Sequence, residues 1–312
     1  HPAFRQKRLG IWQTLSWQQT KEMTENLSLG LSELGLSRGD KTAIIGQNTT
    51  MMYLSMLAVQ SLGGVIVPIF PDASAEEFQS LLAHAEIKAV ICQDQEQIDK
   101  MESVKKNIKS LEFLIFEQPR GMRDYKQNYI HSIDELIRAG SKLKGHGESN
   151  FEDRIMAGEG DDLSIIIYTP GTTGKPKGVM LNYHSLISAA VGGAKHEEIT
   201  ADENVLAYLP IAWIGDHLTS YAQHNVLGFT INCPESPDTL LADLKDISPT
   251  YFLAPPRILE QVHAEIESRI SGATELKKSL YKSFMEIAYR VVGPAISNEP
   301  VGLLDYFAYF IG

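Results

Sequence analysis

Tyr168-Thr169-Pro170-Gly171-Thr172-Thr173-Gly174-Lys175-Pro176-Lys177-Gly178-Val179 follows the apolar run Leu163 to Ile167. A short apolar run rich in Ile and ending in turn chemistry predicts a buried strand that opens into a loop. The loop has the composition of a phosphate cradle. Its glycines let backbone amides approach an anion closely, Thr169, Thr172 and Thr173 offer hydroxyls, and Lys175 and Lys177 add positive charge. Pro176 stiffens the exit.

This is not the phosphate loop of the nucleotide hydrolases, which needs four residues between its glycines and then Lys followed by Ser or Thr. Only Thr172 and Thr173 separate Gly171 from Gly174, and Lys175 is followed by Pro176. No helix with a metal-binding hydroxyl at its start can begin there.

Upstream of the loop, strand and helix signals alternate. Ser16-Trp17 leads into a helix whose Met23, Leu27, Leu31 and Leu34 share one face, ended by Gly35 and Gly39. Strands are expected at Thr42–Ile45, Val65–Pro68, Lys88–Cys92 and Leu111–Phe116. Helices are expected around Tyr53–Leu62, from Ser74 with the capping box Ser74-x-x-Glu77, and from Asp94 to about Lys106. This order predicts an α/β fold with a largely parallel sheet flanked by helices. A short helix capped by Ser132-x-x-Glu135 runs to about Arg138, after which the polar, Gly-containing stretch from Gly140 to Asp162 reads as a connection. The organisation expected is a first α/β subdomain over 1–140, a connecting segment over 141–162, and a second α/β subdomain over 163–312.

A chain of 312 residues with 43% hydrophobic content can bury a large core. The formal net charge of −11 without a long basic block argues against nucleic acid as a partner. Cys92 and Cys233 stand far apart without metal-site spacing, as in a reducing cytosol. No run of about eighteen apolar residues is long enough to span a bilayer, and no signal peptide is visible. The chain begins at His1-Pro2, so its natural start is expected to differ.

The loop resembles the signature of the adenylate-forming superfamily: acyl-CoA synthetases, luciferases and the adenylation domains of peptide synthetases. That signature is an aromatic residue, Thr-Ser-Gly-Thr-Thr-Gly, a variable residue, Pro-Lys-Gly-Val and a later His. This chain carries every element except the Ser, which is Pro170, and has His184 at the later position. Pro170 removes one hydroxyl and one backbone donor. Leu36-Ser37-Arg38-Gly39-Asp40-Lys41-Thr42-Ala43-Ile44-Ile45, then Asn48, the strand Gly63 to Pro68 and Pro255-Pro256-Arg257 are also similar to the family. The resemblance implies ATP bound by Thr169, Pro170, Gly171, Thr172, Thr173, Gly174 and Lys177, with Thr169 a ligand of Mg2+. His184, at a helix start, is expected to be structural.

In long-chain acyl-CoA synthetases the stretch matching Tyr208 to His217 reads Leu-Pro, two apolar residues, His, then Glu three residues later; here Trp213 and Asp216 stand in those places. Trp213 either flanks the acyl group or packs in the core. Asp216 either lines the acyl site or caps a helix. His217 either binds substrate or is a satisfied hydrogen-bonding histidine. Strands at Phe229–Asn232 and Tyr251–Ala254 flank a helix near Thr239–Ile247, and Leu276–Val292 is helical. Leu303, Leu304, Phe307, Phe310 and Ile311 form either a peripheral membrane-facing patch or a core face.

The resemblance implies the N-terminal domain of the adenylate-forming fold in two subdomains. The family's adenine segment, hinge and small C-terminal domain with its catalytic Lys are absent, so a fragment inactive by itself is expected. The implied activity of the intact protein is ATP-dependent conversion of a long-chain fatty acid to acyl-AMP and then, with coenzyme A, to acyl-CoA. A ligase that loads a carrier protein and a non-catalytic nucleotide- or lipid-binding protein are the alternatives.

Overall fold

The computed structural model describes residues 1–144, 151–169, 177–297, 300–302, 305, 306 and 309. The strands are β1 (Pro2–Arg8), β2 (Ile11–Ser16), β3 (Lys41–Ile45), β4 (Val65–Ile69), β5 (Ala89–Cys92), β6 (Phe113–Phe116), β7 (Ile130–Ser132), β8 (Leu163–Thr169), β9 (Lys177–Asn182), β10 (Asn204–Leu206) and β11 (Thr230–Cys233). Helices α1 (Trp17–Leu34), α2 (Thr50–Ser61), α3 (Ala75–His84), α4 (Gln95–Lys105), α5 (Ile133–Leu143), α6 (Phe151–Met156) and α7 (Tyr183–His196) alternate with them. A continuous helical run over 214–227, α8, contains a π-helical turn at His217–Ala222. Helix α9 is Leu240–Ile247, α10 is Pro256–Ser271 and α11 is Glu275–Ile296.

The larger sheet has the order β7-β6-β5-β3-β4-β8-β9, parallel except for β9, which returns antiparallel to β8. Alternate residues of its strands serve opposite faces, as the period of two requires. Ala43, Ile45, Val67, Val90 and Cys92 face Phe78, Leu82, Ile98 and Met101 of α3 and α4. Ile44, Ile66, Ile91, Ile115 and Ile165 face Leu27, Leu31, Tyr53, Met56 and Leu136 of α1, α2 and α5. The second core continues to Phe4, Phe229 and Ile231, which belong to or adjoin a smaller sheet, β10-β11-β1-β2. The α/β class and the parallel sheet expected from the sequence are found.

Several elements differ from the sequence reading. The stretch before Trp17 forms a β-hairpin, and its first strand also pairs parallel with β11, Phe4 opposite Ile231. The turn is Leu9-Gly10 with φ of 48° and 76°, the left-handed pair that a two-residue hairpin needs, without the usual Asn or Asp signal. Helix α5 extends past Arg138 to Leu143, so Gly140 is helical. A Cβ there would lie 1.8 Å from the Asn26 carbonyl oxygen, and one on Gly30 would lie 2.1 Å from that of Leu136. α1 and α5 therefore pack backbone to backbone. Tyr251–Ala254 makes only a single bridge, Tyr251 to Val205, before Pro255-Pro256 opens α10.

Residues 1–252 form one compact unit and 253–312 another. Residues 141–144 and 151–162 lie inside the first unit, and β8 and β9 beyond them complete the same sheet as β3 to β7. Leu303, Leu304, Phe307, Phe310 and Ile311 lie outside the described residues. No helix among the described residues is long and apolar enough to cross a membrane. Cys92 and Cys233 are free and buried.

The glycine contact between α1 and α5 gives a direct prediction. Ala is the better helix former, so Gly140→Ala would stabilise an open helix. Here the added methyl collides with backbone, and the variant should lose ~1–3 kcal/mol in chemical denaturation, with a lowered thermal midpoint.

Candidate active site

β8 is buried from Ser164 to Ile167 and becomes exposed at Thr169. It pairs parallel with β4 at Ile66–Ile165 and antiparallel with β9, Thr169 opposite Lys177. The phosphate-loop residues Pro170, Gly171, Thr172, Thr173 and Gly174 lie outside the described residues. The ends of the loop are defined: Thr169 and Lys177 are register partners and both are exposed. The loop therefore leaves from the C-terminal end of a strand in a mainly parallel sheet, where ligands of open α/β sheets bind. Below it, Tyr168 hydroxyl and His84 Nδ1 are 2.6 Å apart. Gly178 lies beside β8 where a Cβ would come within 2.8 Å of Ile166 Cγ2. His184 is exposed in the first turn of α7, its amide donating to the Gly160 carbonyl at 2.8 Å, while Asn182 caps the helix.

The second stretch is held from below by a buried polar knot. Asn48, just past the end of β3, donates from Nδ2 to the Leu209 carbonyl at 2.9 Å and to Asp216 Oδ1 at 3.0 Å. The Tyr53 hydroxyl of α2 donates to Asp216 Oδ2 at 2.9 Å. Asp216 and Tyr53 have no solvent exposure. Burial pushes the Asp216 carboxyl up to about 7, against the opposing hydrogen bonds from Tyr53, Ser220 and Asn48. Burial likewise pushes Glu117, which accepts from Thr49 Oγ1 at 3.0 Å, up to about 7.

The three residues expected at an acyl site go to three environments. Trp213 is 39% exposed, and its ring lies so close over Gly215 that a Cβ there would be 2.3 Å from the indole. The core reading for Trp213 does not hold. Asp216 is sealed in the knot inside α8 and caps nothing, so the helix-cap reading fails too. His217 opens the π-turn, is 1% exposed, and stacks on Tyr221 with ring centroids 4.8 Å apart. Neither of its ring nitrogens has a hydrogen-bond partner, contrary to the satisfied histidine expected. Burial pushes it down to about 3, so the imidazole is neutral at physiological pH.

The sequence reading used Asn48 only as a point of resemblance and gave Tyr53 no role. The signal available was an Asn soon after the first parallel strand, followed by a Thr-capped helix whose Tyr falls on the buried face.

Residues 1–299 match the family described as AMP-binding enzyme. The chain belongs to the AMP-binding enzyme family. It is 27% identical over 297 residues to the human long-chain-fatty-acid–CoA ligase ACSBG2, covering 93% of this chain and 44% of that protein. It is also 27% identical over 285 residues to long chain acyl-CoA synthetase 3 of Arabidopsis thaliana, covering 87% and 41%. The chain thus spans less than half the length of these relatives. Among solved structures, the adenylation domain of a carboxylate reductase from Mycobacterium chelonae superposes with a TM-score of 0.75 at 20% identity, covering 92% of this chain and 48% of that one. A putative long-chain-fatty-acid CoA ligase from Rhodopseudomonas palustris superposes with a TM-score of 0.69 at 18% identity, covering 84% and 61%. The fold is that of the N-terminal part of an adenylation domain.

The Asp216 carboxyl sets a pH dependence of stability. Its folded-state value, about 7, lies above the ordinary 3.8, so the folded protein holds the proton more tightly. The stabilisation is complete below about pH 4 and is lost as pH rises through about 7, with a slope approaching about 1.4 kcal/mol per pH unit in between. In Asp216→Asn this contribution to the slope should vanish, so denaturation curves of parent and variant should converge toward pH 7 if the parent is the more stable at pH 5.

Proposed function

We propose that the intact protein activates a long-chain fatty acid, first as acyl-AMP and then as acyl-CoA. The observation that carries this reading is the Gly/Thr/Lys loop hung between Thr169 and Lys177 at the C-terminal end of β8 in an AMP-binding enzyme. The long-chain preference is supported by relatives that are long-chain-fatty-acid–CoA ligases.

In the first step a carboxylate oxygen attacks the α-phosphorus of ATP and the bond to pyrophosphate breaks. In the second the thiol sulfur of coenzyme A attacks the acyl carbonyl, the bond to AMP breaks and the thiol proton is released. The first step brings an anionic nucleophile to an anionic phosphate, so donors aimed at the departing pyrophosphate do most of the work. Backbone amides of Gly171 to Gly174, the hydroxyls of Thr172 and Thr173 and the Lys177 ammonium are suited to this task. Thr169 offers one hard hydroxyl oxygen of the kind Mg2+ prefers, and among the described residues no His/Cys/Asp/Glu cluster of metal-binding type competes for the ion. Magnesium, when bound, would neutralise phosphate charge.

Trp213 presents a rigid apolar ring at the start of α8 for the acyl side of the site. Asp216 acts one step removed: by tying Asn48 and the Leu209 carbonyl it positions the Leu209–Trp213 turn.

ATP–pyrophosphate exchange by the intact protein, measured across fatty acids of increasing length, tests the reading. Exchange should depend on a long-chain acid, and Thr172→Ala or Gly174→Ala should reduce it at least about 100-fold, the scale seen when one transition-state donor is removed. Exchange undiminished in both variants would remove the loop from the reaction.

A further inference from the structure

β9 lies at the edge of the larger sheet, with β8 its one neighbouring strand among the described residues. The end of this hairpin that carries the loop has little to hold it. Thr169, Lys177, Val179 and Met180 are exposed. Among the described residues a single side-chain hydrogen bond reaches residues 168–169 or 177–180, the one between Tyr168 and His84. So few buried contacts put a segment at the low end of local stability.

Tyr168 acts across the hairpin. It stands directly opposite Gly178 in the ladder. A Cβ on Gly178 would lie 3.3 Å from Cζ of the Tyr168 ring and 2.8 Å from Ile166 Cγ2, so the absence of a side chain is what lets the ring lie over β9. An aromatic placed on a strand glycine covers backbone that would otherwise be open. The ring also reaches α3: its hydroxyl is 2.6 Å from His84 Nδ1, and the two rings meet edge to face with centroids 5.8 Å apart. Burial pushes the Tyr168 hydroxyl up, so it stays protonated and can donate to an imidazole nitrogen.

His84 has a firm base. It is the last residue of α3, whose Phe78, Leu81 and Leu82 are buried in the core. Just beyond it Glu86 takes the left-handed conformation, φ 54°, and the Ile87 amide returns to the Leu82 carbonyl at 3.0 Å, which closes the helix. A residue other than glycine is disfavoured at that φ, so tertiary structure sets the helix end beside His84.

We infer that His84 is a positioning residue for a nucleoside triphosphate: through the Tyr168 hydroxyl it fixes the end of the β8–β9 hairpin and thus the register in which Thr169 and Lys177 meet the phosphates. The identity of that ligand rests on the adenylation reading. His84 acts through Tyr168, which is adjacent to Thr169 in sequence and whose ladder partner Gly178 is adjacent to Lys177. An exposed hydrogen bond contributes little to global stability, so its effect falls on local orientation, to which bound phosphates are sensitive.

Calorimetric titration of Mg-ATP into the intact protein, without any acid, tests the role. Tyr168→Phe and His84→Leu should each weaken binding about five-fold, the scale of one net hydrogen bond. The double variant should lose no more than either single one, as for two groups that act only through each other. His84→Asn, whose amide oxygen can accept the hydroxyl proton in place of Nδ1, should recover most of the affinity. Thermal midpoints should stay within about 2 °C of the parent. Hydrogen exchange without nucleotide gives the local reading: peptides over 166–169 and 177–180 should exchange faster in both single variants, while those over β3 and β5 stay unchanged. Equal ATP affinity in the parent and both single variants, additive losses in the double variant, or unaltered exchange at the hairpin end would overturn the proposal. Pyrophosphate exchange by the parent separates it from the adenylation reading. A parent that shows these variant effects on ATP binding yet exchanges pyrophosphate with no acid overturns adenylation and leaves the positioning role standing, whereas a parent that binds no Mg-ATP overturns both.

Discussion

The carboxyl of Asp216 is the point through which the first helices and the second chemical stretch are held together. A carboxyl without solvent exposure is costly unless it is protonated or fully hydrogen-bonded. Asn48, Tyr53 and Ser220 surround it, and each comes from a different place in the chain or turn. Asn48 follows β3, Tyr53 lies in α2, and Asp216 lies in the first turn of α8 more than 160 residues later. The same Asn48 amide holds the Leu209 carbonyl, so the turn carrying Trp213 cannot move without disturbing the knot. The smaller sheet depends on the same region, because Phe4 of β1 stacks on the Tyr53 ring with centroids 5.8 Å apart.

Around that knot the packing follows simple periodicities. The strands of the larger sheet supply alternate side chains to two cores, and the core shared with α1, α2 and α5 is continuous with Phe4, Phe229 and Ile231. The glycine contact between α1 and α5 brings α5 closer than any side chain would permit. The π-turn at His217–Ala222 adds one residue to the helical repeat, a feature often found at functional sites. In this chain the turn stacks His217 on Tyr221 and places both in the wall of one cavity.

The alternation of β3 to β6 with α2 to α4 was readable because each strand is a short apolar run and each helix has a cap, Ser74 with Glu77 being the clearest. The strand before the glycine-rich loop was readable because Leu163 to Ile167 is a short apolar run that ends in turn residues. The β1–β2 hairpin was not, since Leu9-Gly10 is an atypical turn and β1 finds β11 more than 200 residues away. Helix α5 was read short because Gly140 has low helix propensity, which tertiary packing overrides. Trp213, Asp216 and His217 were singled out because the resemblance put them at the acyl site. Successive helical residues point in different directions, however, so one sequence stretch gave one exposed ring, one sealed carboxyl and one cavity group. Only the partners Asn48 and Tyr53, remote in sequence, decide which is which.

The account rests on Asp216 and Tyr53 being coupled within the knot rather than merely filling space beside each other. A double-mutant cycle in chemical denaturation at pH 8, with Tyr53→Phe, Asp216→Asn and the double variant, measures that coupling directly. Tyr53→Phe keeps the ring and removes only the hydroxyl. A coupling energy of about 1 kcal/mol or more is predicted for groups in direct hydrogen-bond contact. Additive effects, within about 0.3 kcal/mol, would contradict the account and reduce the knot to independent packing contacts.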